Sequence, residues 1–190
     1  MEQNISFKSG FKPVNYAEYG KITNTISKKF FVDFPWTVNE SVKASNAKTS
    51  MVFDCSVLGI TDGKDVLMLH LCPSVKENSD YNKIKNFILK KIKIDNPNLQ
   101  AALFGSQYNW TDSANLNDFL LSLMKKWNIP CSIFNTSKEA FNVAYKSNID
   151  EWYITSKNIS KALEAENTNS EDVFKSEFYK VELSELDEFA

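Results

Sequence analysis

Two runs of strand-forming residues, Ser50 to Ile60 and Asp65 to Cys72, flank the stretch Thr61-Asp-Gly-Lys64. Asp-Gly between such runs is the strongest short-range hairpin signal, so the pattern predicts two antiparallel strands joined by a tight turn. The period then changes. After Ser79 or Asp80 as a cap, Ile84, Phe87, Ile88 and Ile92 recur on one helical face, with Lys83, Lys90 and Lys93 off it. That spacing predicts an amphipathic helix. Leu99 to Phe104 reads as a strand ending at Gly105, and Ser113 caps a second helix. Its apolar stripe is Leu116, Phe119, Leu120, Leu123, Met124 and Trp127. Ile129 to Phe134 reads as another strand. Phe141, Val143 and Tyr145 alternate ahead of Ser147-Asn148 and Trp152-Tyr-Ile154, a second hairpin. Strands interleaved with two helices indicate a layered α/β or α+β domain.

The first 48 residues are rich in Asn, Ser and Lys, with a cluster of Phe30, Phe31, Phe34 and Trp36. They read as irregular but anchored, since that many aromatic rings are not left in water. Residues 150–190 carry 11 acids against 4 lysines, and Ser160 to Glu166 reads as a solvated helix leading into an acidic tail.

Composition narrows the class. The 190 residues are 43% hydrophobic and 24% charged, enough for a real core and unlike a disordered chain. Twenty-two basic residues against 24 acidic give −2, and every basic residue is lysine. Without arginine there is no bidentate clamp for phosphate or guanine, so a nucleic-acid partner is not expected. No stretch approaches the length of a membrane span, and the start has no signal-peptide core. Cys55, Cys72 and Cys131 are odd in number and irregularly spaced, which suits a reducing compartment or at most one bridge.

Candidate chemistry gathers on the first hairpin. His70 is the one histidine, so any mechanism that uses imidazole uses it. A two-residue turn at Asp62-Gly63 pairs Cys55 directly with His70 on one face, with Cβ atoms roughly 4.5–5.5 Å apart. A three-residue loop with a bulge shifts that register by one and separates them. Thr49 has the parity of Cys55 and joins the same face if the strand begins that early. A thiol beside an imidazole is the minimal nucleophile–base unit: the imidazole takes the thiol proton, and the imidazolium favours the thiolate. The alternative is a small buried hydrophobe beside a packed histidine. Cys72 shares a strand face with His70, but a Cys55, His70 and Cys72 metal site lacks a visible fourth ligand and any CxxC spacing.

Five residues separate Thr49 from Cys55, and fourteen separate Cys55 from His70. This arrangement resembles the cysteine protein-glutamine deamidase superfamily, which includes the chemoreceptor deamidase CheD, the catalytic domain of cytotoxic necrotizing factor and a deamidating bacterial lethal factor. The likeness continues through Ala102-Leu-Phe-Gly-Ser106, where that family has a Phe-Gly-Gly-like strand end. It extends through Asn128-Ile-Pro130 and the hairpin from Phe141 to Ile154. The chain departs from the family at Phe53-Asp54, where glycine is common, at Ser106, and at Asn135-Thr-Ser-Lys138. These departures point away from a chemotaxis enzyme and toward a relative with another target.

The resemblance implies an α/β fold of α+β layered-sandwich type, CheD-like, with mixed, mostly antiparallel sheets and flanking helices. The organisation is then an aromatic-rich extension, 1–48, packed on a deamidase core, 49–156, followed by the acidic helix and tail, 157–190. It implies Cys55 as nucleophile, His70 as acid–base and Thr49 as the residue orienting His70 through its hydroxyl or carbonyl. No cofactor or metal is implied. Ser106 and Gln107, just after Gly105, line the pocket or form a plain turn. The implied partner is a protein carrying the target glutamine. The implied setting is the cytoplasm of the producing cell, or a host cytosol reached by a bacterial toxin or effector without a classical signal. Three alternatives stand beside hydrolysis. One is amine capture of the thioester, which makes a transglutaminase. Another is a decayed site on an interaction module that docks through its acidic end. The third is a redox pair of Cys55 and Cys72.

Overall fold

A computed structural model describes residues 10–26, 31–32, 42–52, 55–73, 78–105, 111–135, 141–155 and 178–180. In chain order the elements are β1 (Gly10–Pro13), α1 (Tyr16–Thr23), β2 (Phe31–Val32), β3 (Val42–Ala44), β4 (Asn46–Val52), β5 (Ser56–Thr61) and β6 (Val66–Leu71). They continue with α2 (Asn78–Lys91), β7 (Gln100–Gly105), α3 (Thr111–Lys126), β8 (Cys131–Asn135), β9 (Phe141–Lys146), β10 (Glu151–Thr155) and β11 (Phe178–Lys180).

The strands form two sheets, ordered β1-β10-β9-β4-β2 and β11-β8-β7-β5-β6-β3. Most pairings are antiparallel; β1 with β10, β2 with β4 and β7 with β8 are parallel. Three apolar layers hold the sandwich together. The inner faces of the two sheets meet over Val57, Met68, Phe104, Phe141, Tyr145 and Trp152. Outside the six-stranded sheet, α2 and α3 bury Ile84, Ile88, Leu116, Leu120 and Met124 against Leu58, Leu69 and Leu103. Outside the five-stranded sheet, α1 packs Tyr19 against Ala144 and Tyr153. The fold is therefore an α+β layered sandwich with flanking helices.

Glycine sets the spacing of the two sheets at one point. Gly59 stands level with Ala102, which stands level with Ser132, so a row of small residues crosses β5, β7 and β8. The fully buried Trp152 ring lies on Gly59, where a Cβ would overlap it. Large opposite small is how facing layers interdigitate at close packing.

Several expectations change in the structure. The run Ser50 to Ile60 is two strands in different sheets: β4 ends at Val52, and β5 starts at Ser56. The sequence pattern does not reveal the switch because every residue of β5 is buried; a strand covered on both faces shows no alternation. The stretch 1–48, read as irregular, holds β1, α1, β2, β3 and the start of β4. Helix α3 begins at Thr111, which places Ser113 inside its first turn, and α2 begins at Asn78. Ser160 to Glu166 lie outside the described residues. Within 157–190 the described segment is β11, antiparallel to β8 at the edge of the six-stranded sheet.

Candidate active site

The hairpin between β5 and β6 closes through a longer loop than its Asp-Gly suggests. Thr61 pairs with Val66, so Asp62 to Asp65 all belong to the loop. The Asp62 carboxylate accepts the backbone N–H groups of Lys64 at 3.0 Å and Asp65 at 2.9 Å. Gly63 takes φ +85°, a conformation that favours glycine. This Asx arrangement spends the aspartate on capping a wider turn. As a result His70 stands level with Val57, and the expected direct pairing with Cys55 is not formed. The shift is by two positions, so parity survives. Cys55 lies two residues before Val57 and joins the inter-sheet layer, on the side of the sheet that His70 faces.

Thr49 reaches His70 by a route that the single-strand reading did not contain. It belongs to β4 in the five-stranded sheet, and His70 to β6 in the six-stranded one. Their contact crosses the sandwich: Thr49 Oγ1 lies 2.8 Å from His70 Nδ1. A bulge helps to shape this point. The β4–β9 ladder is regular through Thr49 and Val143 and resumes at Val52 and Phe141, leaving one extra residue on β4. Such bulges re-aim side chains and increase local twist. Thr49, Cys55 and His70 are each 1% exposed or less.

Two residues not singled out from the sequence support this region. Tyr19 of α1 extends its hydroxyl through the outer face of the five-stranded sheet. It shares its proton between the Thr49 carbonyl at 3.1 Å and the Val143 carbonyl at 2.9 Å. Burial raises the pKa of the Tyr19 phenol, so it remains a donor. Asn117 of α3 accepts a 2.6 Å hydrogen bond from the hydroxyl of Ser56, the residue after Cys55. Its amide fits because Gly105 has no side chain: a Cβ there would lie 2.5 Å from Asn117 Nδ2. A sequence signal for α1 exists in Asn15 and Glu18, since the Asn15 side chain accepts from the Glu18 backbone N–H at 2.9 Å and caps the helix.

Cys72 is half-buried, and Cys55 and Cys72 each lie one residue beyond the last ladder pair, Ser56 with Leu71. None of the three cysteines is in a disulfide. Among the described residues, no three His, Cys, Asp or Glu side chains come together to hold a metal ion, the set Cys55, His70 and Cys72 included. Ser106 and Gln107 lie outside the described residues, as do Phe53, Asp54, Tyr108 and Trp110. Among the described residues no helix is long and apolar enough to cross a membrane. Compared with protein-family models and with curated proteins, the chain matches none.

Proposed function

We propose that the protein is a cysteine hydrolase that deamidates a glutamine side chain of a protein substrate to glutamate. The observation that carries this reading is the Thr49 Oγ1 to His70 Nδ1 contact of 2.8 Å, with Cys55 buried in the layer between the sheets two residues before Val57, the ladder partner of His70. In the tautomer whose Nδ1–H donates to the Thr49 oxygen, Nε2 carries the basic lone pair, and that is what a nucleophile–base pair requires.

In the proposed cycle, His70 Nε2 takes the Cys55 proton and the thiolate attacks the amide carbon. The C–N bond breaks as the imidazolium protonates departing ammonia, leaving a thioester. His70 then takes a proton from water, the hydroxide adds, and Cys55 leaves as thiolate as the glutamate carboxyl forms. Thr49 holds the ring in place and stabilises its charged form. The scheme uses no metal or cofactor, and because Cys55 is buried the substrate amide reaches it only if the residues around the thiol move. The setting is the producing cell's cytoplasm or, for an effector, a host cytosol.

The burial of Cys55, His70 and Thr49 favours a second reading, in which the site has filled in and the fold serves as an interaction module docking through its acidic C-terminal region. A chloroketone analogue of glutamine separates the two. Covalent capture at Cys55 in the wild type, lost in His70→Ala, supports the hydrolase. A folded protein whose Cys55 is untouched by the analogue contradicts it and leaves the interaction module.

A further inference from the structure

We propose that Tyr19 is a positioning residue for His70, acting through Thr49 from the opposite side of the five-stranded sheet. This rests on the Cys55–His70 reading above and adds to it a residue from the N-terminal helix. Thr49 uses its two oxygens in opposite directions: the hydroxyl contacts His70 Nδ1 at 2.8 Å, and the carbonyl accepts from Tyr19 at 3.1 Å. The second acceptor of the phenol, the Val143 carbonyl, belongs to the ladder partner of Thr49. Tyr19 therefore ties together the last regular pair before the bulge, where one extra residue weakens the hold of the ladder on β4. Holding the carbonyls of Thr49 and its ladder partner fixes the β4 backbone at Thr49, and with it the position of the Cα from which the hydroxyl reaches His70.

Helix α1 is itself held against the sheet. Lys48, next to Thr49, donates from Nζ to the Thr23 carbonyl at 3.0 Å, and Thr23 Oγ1 donates to the Tyr19 carbonyl at 2.8 Å. Just before the helix, the Val14 N–H donates to the Ile154 carbonyl at 3.0 Å. The phenol thus comes from a braced element and acts as a fixed strut.

Because His70 is the sole histidine, its ring-nitrogen resonances are unambiguous in a labelled full-length chain. We would follow those shifts against pH in the wild type, Tyr19→Phe, Thr49→Val and the double variant, together with the rate of Cys55 alkylation by iodoacetamide. The expected result is that Thr49→Val lowers the His70 protonation constant, since the hydroxyl favours imidazolium. Tyr19→Phe lowers it in the same direction by roughly two- to tenfold, the range for one hydrogen bond. The double variant matches Thr49→Val alone, the non-additivity of residues that act in series. Cys55 alkylation slows by a similar factor. Unchanged His70 shifts in a folded Tyr19→Phe protein, or additive effects in the double variant, overturn the proposal. If Tyr19→Phe does not fold, 3-fluorotyrosine at position 19 keeps the hydroxyl and strengthens it as a donor. It is expected to move His70 the opposite way, and no movement overturns the proposal. Failure of the underlying reading looks different: Cys55 alkylation is then indifferent to His70→Ala, whatever Tyr19 does to the imidazole.

Discussion

The six-stranded sheet has two buried faces, and each holds a cysteine. On the helix side, Cys131 lies among Leu103, Leu120, Met124 and Ile133. Burial pushes its thiol up to about 12, outweighing a backbone hydrogen bond from Leu103. On the inter-sheet side, Cys55 shares a layer with aromatic rings, and Thr49 and His70 meet there across the sandwich. Both thiols are buried. Desolvation disfavours a thiolate in either place, so burial alone produces the inert kind of cysteine. What sets Cys55 apart is the imidazole on its face of the sheet. The two faces also pack differently: the helix side is mostly aliphatic, whereas Phe104, Phe134, Phe141, Tyr145 and Trp152 fill the other.

The largest expected effect breaks the aromatic face. Trp152→Ala removes the fully buried ring that lies on Gly59 and is expected to cost about 3–5 kcal/mol, read from urea unfolding. Gly59→Ala attacks the same contact from below at about 1–3 kcal/mol, and the cost falls when Trp152 is also made smaller. On the helix side Asn117 and Ser56 form a buried polar pair. Asn117→Ala strands the buried Ser56 hydroxyl, an expected loss of about 1–3 kcal/mol in the same measurement.

A smaller effect tests the thiol on the helix side by pH. The Cys131 thiol titrates at 9.0 when unperturbed and near 12 in the fold. Below pH 9 both states are protonated and its contribution is intact. As pH rises from 9 toward 12, the unfolded chain ionises and the folded one does not, so stability falls. The expected loss from Cys131 is about 1.4 kcal/mol by pH 10. Tyr19 and Tyr145, both raised mainly by burial, add to the decline above 10. Urea midpoints at pH 8 and pH 10 measure the slope, and Cys131→Ala reduces it. The smallest effect on stability is expected from Thr49→Val, about 1 kcal/mol, at the low end for a buried partner that loses one hydrogen bond, because shape is kept around the His70 ring.

Much of this layout was legible from residue patterns. The stripes of α2 and α3, the strand ending at Gly105 and the hairpin of β9 and β10 follow from period and punctuation alone. Three features were not. The sheet switch between Val52 and Ser56 is hidden because β5 is buried on both faces. The loop length is hidden because Asp62 can build either a tight turn or the wider Asx turn that it makes here. Parity along one strand puts Thr49 only on the face of Cys55, and the family resemblance alone implies its contact with His70; that contact forms across two sheets, a geometry neither contains. The pattern does not single out Tyr19 because α1 is only eight residues long, although Asn15 and Glu18 mark its start. The alternation inside the second hairpin does not show its polar pin either: Tyr145 donates to the Asp150 carboxylate at 2.7 Å.

The most direct measurement is the iodoacetamide reactivity of the individual cysteines against pH, read by mass spectrometry on the folded full chain, in the wild type and in His70→Ala. The expected result is a Cys55 reactivity midpoint that moves upward when His70 is removed, with Cys131 unlabelled in both proteins below pH 9. A Cys55 that stays unlabelled, or labels identically with and without His70, would contradict the nucleophile–base pair and leave the two cysteines equivalent.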